Sequence, residues 1–277
     1  TGLTSVTSGS LTVTTACAPS STTSGGYTTL SFTSTGSCTW VAPTGVTEVQ
    51  TLVVGGGGGG GGGGCNWSWP RGGGGGGVRQ TATTYVTPGA GVSVVVGSGG
   101  TNAVNRALCP GTPGVATVGT QGGTSSFASI SSTGGFSSPQ FNSLGGASGV
   151  GDNVSFAASG RVTANGEGCD NTSDCSGGGG GGAGGAAGQM SPGDSGWNAN
   201  ASGRAGIGGP GVMSSISGTS LAYGAGAFGM TAPSSGSAGV GCGGVGIFGS
   251  EYIGGGCRNF STSAFVDPLA NRGGGGL

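Results

Sequence analysis

Leu52-Val53-Val54 runs directly into ten consecutive glycines, Gly55–Gly64, and the architecture of the whole chain turns on this passage. Two more runs, at 72–77 and 177–182, each hold six glycines, and glycine fills 75 of the 277 positions. A glycine run has no side chain to bury, so only its backbone groups can hold it in place. It therefore either stays disordered or orders itself through backbone hydrogen bonds.

Energetics limit how such runs can order. Fixing one residue costs about 1–2 kcal/mol, most for glycine, whereas one hydrogen bond returns only about 1 kcal/mol net. A lone glycine run therefore does not fold. Polyglycine can adopt an extended, left-handed, threefold helix that rises about 3.1 Å per residue and has no internal hydrogen bonds. Such helices bond to one another when packed side by side, so a bundle forms if nearly every backbone group is paired and strands and disulfides anchor it.

Charge is scarce along the chain. Charged residues make up 5% of it, against about 25% in an ordinary globular domain, and the net charge is −1. Histidine is absent, and all seven basic residues are arginines. Catalytic triads need an imidazole, phosphate-binding loops need a lysine, and nucleic-acid binding needs a basic surface. We therefore predict no enzyme, no catalytic residue, no cofactor, no metal site and no nucleic-acid partner.

Short runs of β-branched and aromatic residues alternate with glycine and proline turns, as in all-β domains. No segment has a convincing helical period, and glycine is a poor helix former. We predict a β-sandwich or jelly roll that carries a bundle of polyglycine-II helices, with essentially no α-helix. The predicted strands are 27–33, 38–41, 46–54, 78–86, 92–96, 115–118, 127–130 and 260–266, with turns at Gly36, Pro43-Thr44-Gly45 and Pro88-Gly89.

The pattern divides the chain into three regions. Residues 1–26 are predicted to be an N-terminal strand, with Leu11 and Val13 on one face, followed by a Ser/Thr/Gly linker from Pro19 to Gly26. Residues 27–130 hold the sandwich strands with an inserted glycine hairpin at 55–77, and residues 131–277 hold the glycine-rich bundle, its loops and a returning C-terminal strand. The N-terminal strand pairs either with its own domain or with a neighbouring subunit by strand addition. In the second case Leu11 and Val13 link subunits.

The residues from Cys38 to Val54, CTWVAPTGVTEVQTLVV, lead into Gly55 and carry a family resemblance. They resemble the opening of the glycine-rich domain of bacterial surface proteins and phage tail proteins. Val86-Thr87-Pro88-Gly89, followed by 92–97, is similar to the next strand pair of that family. The resemblance implies a β-sandwich that carries a polyglycine-II bundle, similar in plan to the glycine-rich region of the anaplastic lymphoma kinase receptor. It also implies an extracellular setting and no particular reaction.

Eight cysteines, an even number, predict up to four disulfides in an oxidising compartment, with reduced buried thiols as the alternative. The chain begins at Thr1, which fits a processed and secreted protein, and no apolar stretch approaches the roughly 20 residues of a membrane span. We therefore expect an extracellular or cell-surface location without membrane insertion. Among the many possible pairings we favour Cys17 with Cys38, Cys65 with Cys109, Cys169 with Cys175, and Cys242 with Cys257.

Two segments between glycine runs are candidate contact sites. Trp67, Trp69 and Arg71 lie between the first two runs and suit binding to a sugar or a protein, unless the tryptophans only cap the bundle end. Trp197 lies in a similar segment, which is either a second contact loop or an ordinary connector.

These features favour a secreted structural protein, the repeating subunit of an extracellular filament or surface layer, with an adhesive role as an option. The alternative is a receptor-binding tip adhesin of a phage tail fibre or a cell-surface appendage. The expected partners are copies of the chain itself, together with a cell-surface glycan or protein.

Overall fold

The computed structural model describes residues 15–61, 72–103, 119–137, 146–152, 162–163, 175–176, 181–184, 188–189, 206–227, 240–242, 257–259, 264–266 and 273–274. These residues form strands, turns and extended segments, and none of them is helical. The all-β prediction is confirmed for this part of the chain. The longer strands are β1 Ser20–Ser24, β2 Tyr27–Ser31, β3 Gly36–Val41, β4 Glu48–Val54, β5 Val78–Tyr85, β6 Gly91–Val96, β7 Ser125–Phe127 and β8 Ile130–Ser132.

The named strands pair antiparallel in several small sheets. The largest sheet has the order β3-β6-β7-β8, while β4 pairs with β5 and β1 pairs with β2. The remaining short strands form two- and three-stranded sheets. They are β9 Val162–Thr163, β10 Cys175–Ser176, β11 Gly188–Gln189, β12 Gly206–Ile207, β13 Val212–Ser214, β14 Leu221–Tyr223, β15 Val240–Cys242, β16 Cys257–Asn259 and β17 Ala264–Val266.

The apolar core lies between the β4-β5 pair and the four-stranded sheet. Val53 of β4 is buried against Val94 of β6 and Phe127 of β7, and the ring of Trp40 lies 5.8 Å from that of Phe127. The Ser132 hydroxyl of β8 donates a buried 2.9 Å hydrogen bond to the Val53 carbonyl. Strands β4, β6 and β7 thus share this core, while Leu52 and Val54 on the other face of β4 pack against a second cluster of Val78, Ala183 and Tyr223.

Three local predictions need correction. The linker predicted at Pro19–Gly26 is β1 and its turn, because serine and threonine tolerate an exposed strand and Gly25 and Gly26 take positive φ between β1 and β2. Phe127 and Ile130 do not share one strand but face each other across a hairpin turn. Gly36, predicted as a turn, begins β3 with φ 121°. The predicted strand at 115–118 lies outside the described residues.

The strands continue into the glycine segments without a change of register. Val54 lies opposite Val78 at the end of the β4-β5 pair. Beyond it, the Gly55 amide donates to the Gly77 carbonyl at 2.9 Å, and the Gly58 amide donates to the Gly74 carbonyl at 2.8 Å. The β6-β7 pair continues in the same way into segments 97–103 and 119–124. The sheets therefore set the alignment of the glycine segments.

The direction of the backbone hydrogen bonds in segment 55–61 repeats every third residue. Its residues are all buried, and successive residues bond in three different directions. Every backbone bond in this set runs sideways to another segment. The amides of Gly55 and Gly58 donate to segment 72–77, those of Gly56 and Gly59 donate to segment 119–124, and the carbonyls of Gly57 and Gly60 accept from segment 97–103.

The 72–77 segment lies at the centre of these contacts, and each of its residues is buried. Its backbone bonds reach six other parts of the chain. The partners are Gly55 and Gly58, Thr133 and Phe136, Gly146 and Gly149, Gly181, Ala227, and Gly273. Segment 72–77 is surrounded on all sides by these six partners and has no exposed side. This is why the run carries only glycine.

Close packing excludes side chains from the interior of the bundle. A Cβ added to Gly74 would lie 1.9 Å from the Ala147 carbonyl oxygen, and one added to Gly58 would lie 2.2 Å from the Phe136 carbonyl oxygen. In the outer segments the large side chains of Phe136 and Val150 face outward, whereas the small side chain of Ser148 is fully buried.

Candidate functional site

The predicted contact and linkage residues, and three of the predicted disulfide cysteines, lie outside the described residues, so their positions remain predictions. The flanking segments fix where one of these loops is attached. Segments 55–61 and 72–77 run antiparallel, away from β4 and back into β5. Residue 61 ends the first segment and residue 72 begins the second at the end of the bundle remote from the sheets. The predicted residues that lie outside the described part of the chain are Leu11, Val13, Trp67, Trp69, Arg71, Trp197, Cys65, Cys109 and Cys169.

A disulfide holds the start of the described chain against β3. Cys17 and Cys38 are joined with an S–S distance of 2.00 Å. The Cys17 amide donates to the Thr39 carbonyl at 3.1 Å, and the Thr39 amide donates to the Thr15 carbonyl at 2.9 Å. Ala16 thereby bridges Thr39 in a parallel arrangement. The approach to the N-terminus is thus fixed, covalently and by hydrogen bonds, along the outer edge of the four-stranded sheet.

The backbone of a second predicted cysteine pair is also described. Cys242 of β15 lies directly opposite Cys257 of β16 in the antiparallel register. Cys175 of β10 lies opposite Thr163 of β9.

One ion pair fastens the bundle to the β4-β5 pair. Arg79 Nε lies 3.2 Å from Asp152 Oδ1, a contact that is an ion pair and not an aligned hydrogen bond. Arg79 Nη2 donates to the Gly151 carbonyl at 2.9 Å, and the Gln80 amide donates to Asp152 Oδ2 at 2.7 Å. Both charged side chains are more than one-third exposed, so solvent screening keeps their contribution to stability small. Their role is to align segment 146–152 with β5.

The described surface offers aromatic rings and hydroxyl groups more than charge. Tyr27, 72% exposed, follows the β1-β2 turn, and Tyr85, 82% exposed, ends β5 at the end of the sheets away from the bundle. Neither tyrosine is predicted as a contact residue from the sequence, although Tyr27 directly follows Gly25-Gly26 and Tyr85 precedes the Pro88-Gly89 turn. Among the described residues, no group of three or more His, Cys, Asp or Glu side chains is placed to hold a metal ion.

A family model described as a glycine-rich domain matches residues 33–276. The chain therefore belongs to the glycine-rich domain family, which confirms the resemblance seen at Cys38–Val54. No curated protein and no solved structure matches the chain. Within the part of the chain that the structure describes, no helix is long and apolar enough to cross a membrane.

Proposed function

We propose that this protein is a secreted structural subunit of an extracellular filament or surface layer, built as a β-sandwich that carries a bundle of polyglycine-II helices. The recurrence of bonding direction every third residue in segment 55–61 supports a helix with three residues per turn. The shared core of the two sheets around Val53, Val94 and Phe127 supports a sandwich. The sandwich then acts as the anchor that glycine rods need in order to form.

The observation that carries the proposal is the buried segment 72–77, bonded through its backbone to six other parts of the chain. Such a core depends little on charge, and it offers proteases few accessible backbone groups. The Cys17–Cys38 disulfide fits an oxidising, extracellular setting. A closely packed bundle with few charges suits a building block.

The filament proposal predicts that the purified full-length chain assembles into regular fibres or sheets with a repeat near the length of one subunit. Negative-stain electron microscopy over a range of concentrations measures this. Isolated particles under every condition would contradict the proposal. A chain lacking residues 1–14 tests the linkage separately, because it keeps the Thr15 and Cys17 contacts to Thr39. If Leu11 and Val13 join copies by strand addition, this truncated chain stays monomeric.

A second candidate function, a tip adhesin that binds a cell-surface glycan or protein, is favoured by the topology of segments 55–61 and 72–77. They place the attachment points of the connection with Trp67, Trp69 and Arg71 at the end of the bundle remote from the sheets. A loop on a rigid rod suits recognition, because little ordering entropy is lost on binding.

The adhesin proposal predicts that Trp67→Ala combined with Trp69→Ala lowers attachment to target cells at least about tenfold, since aromatic anchors dominate many interfaces. Binding of labelled protein to intact cells measures attachment. Tyr85→Ala is the matched control, because it removes an exposed ring at the opposite end. Equal attachment by the double variant and the unaltered protein would exclude the tryptophan loop.

A further inference from the structure

Gly99 is unlike the other glycines whose surroundings the structure describes. Each of those either takes a positive φ or has an atom of another residue within 2.8 Å of the place where its Cβ would stand. At Gly99 neither holds, since nothing lies within 4 Å of that place. A glycine with ordinary φ and open space beside it suggests that another backbone approaches there.

The open side belongs to segment 97–103, at the outside of the bundle. On its inner side the Gly100 amide donates to the Gly57 carbonyl at 2.8 Å, and the Ala103 amide donates to the Gly60 carbonyl at 2.9 Å. Gly99 is exposed, and within the described part of the chain it has no hydrogen-bond partner. Segment 97–103 therefore presents a backbone edge that one more extended segment can join. An unpaired edge of this kind invites association, as an open β-sheet edge does.

The N-terminal part of the chain starts out in the direction of this edge. Ala16 bridges Thr39 in parallel, so the step from Ala16 back to Thr15 points along β3 towards its first residue, Gly36. β3 is the neighbour of β6, and β6 continues directly into segment 97–103. The disulfide of Cys17 keeps this starting point on its own subunit.

The length of residues 1–14, and their register counted from the Ala16–Thr39 bridge, both allow them to reach Gly99. Thr39 lies opposite Ser93, and Gly99 is the sixth residue after Ser93, a distance of about 20 Å in an extended chain. Residues 1–14 span up to about 46 Å when extended. Counting back from Ala16 at the same rise, Gly9 and Ser10 fall level with Gly99, so a glycine stands on each side of the closest approach.

We propose that residues 1–14 of the same chain pack along the outer edge of segment 97–103, with Gly9 and Ser10 beside Gly99. The segment then completes the bundle by covering its open backbone edge. This goes beyond the proposed function, because it places the residues around Leu11 and Val13 within their own subunit. Contacts between copies must then lie on other surfaces.

Cross-linking between introduced thiols separates packing within one chain from packing between copies. Ser10→Cys with Ser98→Cys, both isosteric changes, is treated with a short bismaleimide at low protein concentration, and the linked peptides are identified by mass spectrometry. The expected product is a link between positions 10 and 98 at the mass of one chain. Ser10→Cys with Ser129→Cys is the matched control without a link, because Ser129 is exposed in the β7-β8 turn, at the end of the sheets away from the bundle. A link found only in covalent dimers, or none at all, would overturn the proposal.

Hydrogen exchange gives a second measurement on the chain lacking residues 1–14. The Gly99 amide is expected to exchange about fivefold faster or more, the change that loss of one backbone hydrogen bond produces. Amides of segment 72–77 serve as the internal control and show whether the truncated chain still folds. Unchanged exchange at Gly99 beside protected amides at 72–77 would count against the proposal, as would a full-length chain in which Gly99 is unprotected.

Discussion

Gly74→Ala is expected to destabilise the protein by at least about 4 kcal/mol, since the new methyl group overlaps backbone atoms and three buried hydrogen bonds lie around it. The Cβ would stand 1.9 Å from the Ala147 carbonyl oxygen and 2.5 Å from its carbonyl carbon. Relief requires segment 146–152 to move outward. That movement breaks the bonds that hold this segment, from Gly149 to Gly75, from Gly146 to Gly72 and from the Phe136 amide to the Ala147 carbonyl. A typical domain is stable by only about 5–15 kcal/mol, so the bundle is expected to open.

The measurement is the midpoint of unfolding in guanidinium chloride, followed by tryptophan fluorescence and by hydrogen exchange at 72–77. Gly91→Ala is the matched control, because there the same methyl group meets only the side-chain methyl of Thr39 and no backbone atom. We expect this control to shift stability by no more than about 1 kcal/mol. Equal shifts for the two variants would show that the interior of the bundle is not closely packed.

Phe127→Ala is expected to cost about 4 kcal/mol, the usual loss when a buried aromatic side chain is truncated. Phe127 packs with Val53 and Val94, and its ring meets that of Trp40. Its strand, β7, is the direct continuation of segment 119–124. Because ordering glycine is costly, we expect the bundle to depend on this core and to unfold with it in one transition.

Calorimetry together with exchange at 72–77 measures whether the sheets and the bundle unfold together. Phe136→Ala is the matched control, since Phe136 lies on the outer face of the bundle and is 44% exposed. We expect a loss of at most about 1 kcal/mol there. If Phe127→Ala melted the sheets and left the amides of 72–77 protected, the bundle would be shown to stand without its anchor.

Much of the sheet architecture follows from local pattern. The apolar residues in 46–54 and the Pro88-Gly89 turn predict β4 and the turn between β5 and β6, because strand-forming composition and a fixed φ are properties of a few neighbouring residues. The prediction failed where one pattern fits two structures. Phe127 and Ile130 both face the core from opposite sides of a hairpin turn, and their spacing reads equally well as a single strand.

The pairing of the glycine segments is not readable from the sequence. A run of ten identical residues has no internal landmark, so the lateral partners of Gly55–Gly59 are set by the strands on either side and not by the run itself. Gly99 illustrates the same limit, since one glycine among 75 carries no signal until its surroundings are known. The cysteine count predicts disulfides, whereas the Cys17–Cys38 pairing depends on how the chain before β1 lies along β3.

The threefold repeat of bonding in segment 55–61 also constrains how this chain can change in length. Adding or deleting one residue inside a bonded glycine segment would rotate every later residue by about one-third of a turn and send its amide to the wrong neighbour. Adding three would restore the directions and lengthen the rod. The buried glycine segments are therefore expected to tolerate insertions and deletions only in multiples of three residues.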